Sequence, residues 1–200
     1  MVLEAPMIMV ETDLLVVERD LAEGRIVCPD CGGVLGGWGW ARWRVVRVEG
    51  AVVERRRPRR ARCRRCRKSH VLLGRDCFGR RRDSVGVIGS ALVLKAAGAG
   101  YRPIAVRLGL PGPTVRGWLR RFGSRAEAVR AHFMVWAHVL DPVLGPFVPA
   151  GSLFGDAVEA VAVAGRAAVL RFGPRPVWEV ASALTAGRLL CNTSSPWPLV

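Results

Sequence analysis

The sequence has little that would place it in or across a membrane. No stretch reaches about 18 uninterrupted apolar residues, the length that a spanning helix needs, and the most apolar region, 157–170, contains Glu159 and Arg166. The N-terminus carries Glu4 and Glu11, where a secretory signal would need a basic flank followed by an apolar run. We therefore expect a cytoplasmic protein with no membrane partner.

Acidic residues and lysine are also scarce. The chain has 31 basic and 16 acidic residues, a net charge of +15, and only Lys68 and Lys95 are lysines. The positive charge is concentrated, because residues 55–82 include fourteen basic residues and one acidic residue, a net of +13. Residues 1–27 have six acidic and two basic residues, a net of −4. A patch localised in this way indicates a polyanion as the partner, either nucleic acid or an anionic membrane surface.

Four of the six cysteines form two CxxC pairs, Cys28 with Cys31 and Cys63 with Cys66. Zinc prefers four thiolate or imidazole ligands in a tetrahedron, and each CxxC turn supplies two sulfurs that are close enough to share one ion. The spacing predicts one structural Zn²⁺ per chain, bound by these four residues. A disulfide or redox pair is the main alternative, and His70 is a candidate to replace one cysteine.

Strands are expected around the cysteines. The aromatic and β-branched content of residues 38–48 predicts a strand, a turn at Glu49-Gly50 follows, and residues 51–56 form the return strand before Pro58. Residues 71–73 form a further short strand. A short helix is expected from Asp13 to Gly24.

Residues 101–122, YRPIAVRLGLPGPTVRGWLRRF, predict two short helices joined by a glycine-containing turn. With a preceding helix at 85–99 they would form a helix-turn-helix, whose second helix lies in the major groove of DNA. An ordinary helical hairpin with a solvated basic face is the alternative. The candidate DNA-contacting residues are Arg102, Thr114, Arg116, Arg120 and Arg121, with Arg80, Arg81 and Arg82 in the linker before the first of the three helices.

CPDCGG, RCRRC and the 101–122 block, in this order, resemble the N-terminal region of bacterial insertion-sequence transposases and of small transposase-like proteins. The resemblance covers about residues 26–122 and implies a zinc ribbon followed by a helix-turn-helix that recognises the ends of a mobile element. Such transposases continue with a large catalytic domain that carries three metal-binding acidic residues. Here 78 residues follow Phe122, and their patterns are helical, roughly 126–140, 153–172 and 176–190. We therefore expect no enzymatic activity, and an interaction or homodimerisation role for these helices.

The predicted fold is α+β, with a zinc-ribbon β module, a three-helix helix-turn-helix and C-terminal α-helices. The expected units are an N-terminal helix at 1–25, the ribbon at 26–79, the helix-turn-helix at 83–123, the helical region at 124–191 and a loose tail at 192–200. The predicted function is sequence-specific binding of double-stranded DNA, as a nucleoid-associated transposase-like protein or transcription regulator. The alternatives are an RNA- or ribosome-associated ribbon protein, with Trp38, Trp40 and Trp43 as base-stacking surfaces, an enzyme, and a protein-interaction adaptor.

Overall fold

A computed structural model of the chain describes residues 7–191 and residue 197. It has the predicted α+β class, with a β-rich N-terminal part that contains the four cysteines and a C-terminal part made of helices. The N-terminal elements are β1 (Met7–Val10), α1 (Leu14–Ala22), β2 (Leu35–Trp40), β3 (Arg44–Arg47), β4 (Val53–Arg56), β5 (Arg59–Cys63) and β6 (Ser69–Gly74).

Four of these strands form one sheet in the order β1-β6-β5-β2, and β3 pairs with β4 in a separate antiparallel hairpin. β5 is antiparallel to both β2 and β6, while β1 is parallel to β6, with Met7 opposite Val71. The predicted N-terminal segment 1–25 therefore contributes a strand to the sheet that holds the cysteines. β1 and β5 were not predicted from the sequence.

The single strand predicted over 38–48 is wrong, because the chain is divided there between the two sheets. β2 ends at Trp40 and β3 begins at Arg44. Gly39 has a positive φ of 75°, which is not an extended conformation, and the register with β5 shifts between Gly37 and Trp40. These features end the pairing and direct the chain out of the first sheet.

α1 confirms the predicted N-terminal helix. The Asp13 carboxylate accepts a hydrogen bond from the Leu15 N–H at 2.8 Å, as expected of a helix N-cap. Gly24 follows the helix with a φ of 70°. The buried side chains of Val17 and Leu21 pack with those of the four-stranded sheet in a small apolar core, of which Cys28 and Cys63 are also members.

The helical part begins after Asp83. The helices are α2 (Val85–Ala96), α3 (Tyr101–Leu108), α4 (Gly112–Gly123), α5 (Ala126–Leu140), α6 (Leu153–Phe172) and α7 (Val177–Leu184). Their positions confirm the predicted helices, although α7 is shorter than expected. Pro103 is the third residue of α3, within the first turn, where its missing N–H is tolerated.

One apolar core joins all six of these helices. α2 lies at its centre and packs against α3, α4, α6 and α7. Gly89 of α2 has no room for a side chain, because a Cβ there would overlap the indole of Trp178. The regions predicted as a helix-turn-helix at 83–123 and a helical unit at 124–191 thus share one core. None of the helices in the described part of the chain has both the length and the apolar character needed to cross a membrane.

Specific polar contacts hold the sheets against the helices. The Arg47 guanidinium of the hairpin lies 2.7 Å from the buried carboxylate of Asp83, just before α2. This is a contact between charges rather than a well-aligned hydrogen bond, since Asp83 Oδ1 has no hydrogen-bond partner among the described residues. The buried Ser182 hydroxyl of α7 donates to the Cys77 carbonyl at 2.8 Å. The predicted loose tail, 192–200, lies outside the described residues apart from Trp197, which is buried.

Candidate metal centre and basic surfaces

The first CxxC pair lies in a tight turn before β2. The Gly32 N–H donates to the Cys28 carbonyl at 2.8 Å, and the Cys28 N–H donates to the Gly33 carbonyl at 2.8 Å. Gly32 has a φ of 68°, in the left-handed region that glycine adopts without strain. This backbone turn brings Cys31 back beside Cys28.

The second CxxC pair repeats this turn between β5 and β6. The Arg67 N–H donates to the Cys63 carbonyl at 3.1 Å, and the Cys63 N–H donates to the Lys68 carbonyl at 2.9 Å. Arg67 occupies the position equivalent to Gly32 and has a similar φ of 64°. An arginine therefore adopts a conformation here that costs a side-chain-bearing residue free energy.

The pairing of β2 with β5 brings the two turns together. Leu35, just after the first turn, lies opposite Cys63 in the sheet. The Sγ atoms of Cys28 and Cys66 are 3.6 Å apart, and those of Cys31 and Cys63 are 3.5 Å apart. All four Sγ atoms lie within 4.8 Å of one another. A tetrahedral ion with Zn–S bonds of about 2.3 Å would separate its sulfurs by about 3.8 Å, so this spacing fits one ion at the centre.

The pKa values of two of these thiols are shifted in opposite directions, and a bound cation would favour the thiolate form of both. The backbone N–H of Cys66 donates to the Cys63 sulfur and lowers the pKa of Cys63 to about 6. At Cys66 the backbone N–H of Lys68 favours the thiolate, but burial and the neighbouring sulfurs outweigh it and raise the pKa of Cys66 to about 12. Four adjacent thiolates repel one another, and a divalent ion between them removes that repulsion.

His70 is placed beside the four sulfurs rather than among them. It is fully buried on β6, and its Nε2 lies 3.4 Å from the Cys28 Sγ. A protonated Nε2 can donate to a Cys28 thiolate and orient it, the role that groups around a metal's own ligands commonly have. Cys28 and His70 also form a second group with exposed Asp30, but only the cysteine group contributes four sulfurs.

The backbone at Gly33 packs directly against the cysteine sulfurs. A Cβ built there would lie 2.8 Å from the Arg65 Cβ, 3.0 Å from the Cys63 Sγ and 3.4 Å from the Cys31 Sγ. Any side chain at this position would displace the Cys63 sulfur or the backbone beside it. The second glycine of the CPDCGG motif is therefore required by packing, whereas Gly32 is favoured by its backbone conformation.

Tryptophan and arginine side chains cover the adjacent sheet surfaces in stacked pairs. The guanidinium of Arg62 lies 4.7 Å from the ring centre of Trp38, and that of Arg59 lies 5.0 Å from the ring centre of Trp40. Arg55 lies 5.3 Å from the ring centre of Trp43. The three tryptophans remain exposed, at 53%, 39% and 57% respectively.

The two helices of the predicted helix-turn-helix bury one apolar face each. Ile104 and Ala105 of α3 and Val115, Trp118 and Leu119 of α4 are all buried. Gly109 ends α3 with a φ of 63°, and α4 begins three residues later. The two helices pack against each other and both pack against α2.

The predicted DNA-contacting residues of α3 and α4 lie on the outer side of this unit. Arg116 and Arg120 are exposed, and Thr114 is half-buried. Arg102 and Arg116 both approach the Tyr101 ring, at 5.6 and 5.9 Å from its centre. The structure thus brings together the start of α3 and the first turns of α4. Whether they contact DNA stays a prediction.

The remaining predicted residues differ in their surroundings. Arg121 is half-buried and donates to the Gly117 carbonyl of its own helix at 3.1 Å. Arg81 is half-buried and donates to the carbonyl of Leu190. Burial and the nearby charge of Arg121 lower the pKa of Arg81. Arg80 and Arg82 are exposed.

Comparison of the chain with protein-family models, with curated proteins and with solved structures found no match. The four-cysteine cluster in a small sheet is consistent with a zinc-ribbon-like module. The resemblance to transposase N-terminal regions remains an expectation that rests on the sequence motifs.

Proposed function

We propose that this chain is a zinc-binding protein that recognises double-stranded DNA through α3 and α4. The observation that carries the proposal is the division of α4 into two faces. Val115, Trp118 and Leu119 anchor one face in the helical core, while Arg116 and Arg120 extend from the other into solvent. In the described part of the chain, no carboxylate pairs with either arginine.

The placement of α4 suits the helix that enters the major groove. Its first turns carry Thr114 and Arg116, and the N-terminal residues of a recognition helix contact base edges. Arginine contacts guanine through two parallel hydrogen bonds, and such a pair discriminates against other bases by about 1–3 kcal/mol. Arg120, Arg102, Arg80 and Arg82 are proposed to contact phosphates, which position the protein without reading sequence.

The proposed metal is Zn²⁺, held by Cys28, Cys31, Cys63 and Cys66. Four thiolates complete a tetrahedral shell and leave no open position for water, so zinc here would stabilise the fold. The apolar core around the cysteines is small, and metal binding supplies folding free energy to such modules. The proposed role is binding without catalysis, and homodimerisation through the C-terminal helices remains a further proposal.

The test compares Arg116→Ala with Arg166→Ala. Arg166 is an exposed arginine on α6 that pairs with Glu159, so its loss removes one positive charge away from the proposed interface. Duplexes selected from a random pool by the zinc-loaded protein supply a preferred site and a scrambled control. Arg116→Ala is expected to reduce the preference between them by about fivefold to a hundredfold, and Arg166→Ala to leave it unchanged. An unchanged preference in Arg116→Ala would remove α4 from the role of recognition helix.

Binding of single-stranded RNA is the second candidate function. The exposed Trp38, Trp40 and Trp43 favour it, because aromatic rings are the surfaces on which proteins stack unpaired bases. This candidate predicts that a single RNA strand binds more tightly than any duplex, and that Arg116→Ala has no effect on that binding.

A further inference from the structure

A cleft of about 610 Å³ separates the four-stranded sheet from the β3–β4 hairpin. It does not include the four cysteines or the helix-turn-helix. Its inner surface is apolar and comes from both sheets and from α1. The buried apolar residues that line it are Val10, Val17, Val46, Leu72, Leu73 and Cys77.

Two tryptophans form the walls of the cleft. Trp40 ends β2, and Trp43 lies in the link to the hairpin, so each comes from the stretch where the chain passes from one sheet to the other. Both rings are partly exposed, and each has an arginine stacked on it, Arg59 on Trp40 and Arg55 on Trp43. A flat unsaturated ligand could stack on these surfaces, since aromatic rings and guanidinium planes both accept such stacking.

The rim of the cleft carries excess positive charge. Its carboxylates already have partners: Glu54 and Asp76 both pair with Arg56, and Glu11 pairs with Arg75. Arg44, Arg55 and Arg57 also line the cleft, and no carboxylate pairs with them in the described part of the chain. An anionic group at the rim would therefore be complementary in charge.

From the apolar interior, the tryptophan walls and the arginine rim, we propose that the cleft binds one unpaired nucleotide of a DNA strand. The base enters the cleft and stacks on Trp40 or Trp43, and its phosphate contacts the rim arginines. Because the proposal names DNA, it rests on the proposed function, to which it adds a second contact on the same ligand.

The hairpin connects this cleft to the helix-turn-helix. Arg44 and Val46 of β3 line the cleft. Arg47, the next residue, lines a shallow depression on the other side together with Arg102 and Gly112 at the start of α3 and α4. A duplex with an unpaired end or a splayed base pair would therefore contact both the cleft and the helix-turn-helix, one on each side of the β3–β4 hairpin.

The experiment measures binding of a fluorescein-labelled single-stranded DNA of mixed sequence by fluorescence anisotropy. The double variant Trp40→Ala/Trp43→Ala is compared with Trp38→Ala, an exposed tryptophan that also stacks on an arginine but does not line the cleft. The double variant is expected to weaken binding by about fivefold to a hundredfold, the loss typical of one removed base–aromatic stack. Trp38→Ala is expected to bind like the unchanged protein.

Zinc content and helical circular dichroism are expected to stay unchanged in both variants. Three results would overturn the proposal: no affinity for the DNA strand, an equal loss in Trp38→Ala, or tighter binding of the RNA strand of the same sequence.

The two proposals fail in different ways. Arg116→Ala is expected to reduce duplex preference and to leave single-strand binding unchanged, and the tryptophan double variant to do the reverse. Loss of both activities in the tryptophan variant with zinc retained would contradict separate sites and so overturn the cleft proposal.

Discussion

Gly33→Ala tests the packing of the metal centre with a single methyl group. The added Cβ would lie 3.0 Å from the Cys63 Sγ and 2.8 Å from the Arg65 Cβ, both closer than normal contact. Neither atom is the free end of a flexible side chain, since the metal would hold one and the backbone holds the other. Overpacking of this kind costs about 1–3 kcal/mol, and we expect the upper half of that range because neither neighbour can move aside.

Gly32→Ala is the matched control, because it changes the adjacent residue by the same methyl group. A Cβ at Gly32 meets nothing within 4 Å, but its φ of 68° costs an alanine about 1 kcal/mol. Competition for zinc with a chromophoric chelator gives the affinity of each variant. Since about 1.4 kcal/mol is tenfold, Gly33→Ala is expected to weaken zinc binding by about thirtyfold to a hundredfold and Gly32→Ala by about fivefold. An effect of Gly33→Ala no larger than that of Gly32→Ala would refute the reasoning.

Three further predictions concern the turns and the joint between sheet and helices. Arg67→Gly relieves a positive φ and is expected to stabilise the zinc-loaded protein by about 0.5–1 kcal/mol in urea unfolding; destabilisation would contradict it. Zinc binding at neutral pH is expected to release at least one proton, because Cys66 with its raised pKa of about 12 is still a thiol while Cys63, lowered to about 6, is already a thiolate. Zinc affinity should then fall further as the pH drops through 6, and calorimetry in two buffers counts the protons; no release would contradict the four-thiolate site. Arg47→Ala leaves the buried Asp83 carboxylate without its cation and is expected to lower the free energy of unfolding by about 1–3 kcal/mol. The same substitution in an Asp83→Ala background is expected to lower it much less. Equal losses in both backgrounds would disprove the coupling between the two residues.

The elements that were predicted from the sequence are marked by patterns among neighbouring residues. α5 and α6 were predicted over 126–140 and 153–172, since apolar periodicity and flanking prolines mark their ends. The two CxxC turns were predicted from spacing, and their convergence on one site follows from the hairpin-like pairing of β2 with β5.

The missed elements depend on contacts between distant residues. β1 is a four-residue strand that pairs in parallel with β6, more than sixty residues away, and no local pattern marks such a pairing. β5 was not predicted because most of its residues are arginines, and only Ala61 and Cys63 among its five residues are buried. It therefore lacks the apolar pattern by which a strand is predicted. The position of His70 relative to the sulfurs depends on the register of β5 with β6. The sequence does not give that register, so it could not show whether His70 is a metal ligand or lies beside the ligands.

The salt dependence of duplex binding tests the central claim most directly. Affinity of the zinc-loaded protein for its selected duplex is measured from low to high salt, with zinc content measured on the same sample. Each phosphate contact contributes about −0.9 to the slope of log affinity against log salt, so the four arginine contacts proposed above predict a slope of about −3.6. That slope, with one zinc per chain and a retained preference over the scrambled duplex, is the predicted result. Weak binding that does not change with salt would contradict the account and favour a protein partner instead.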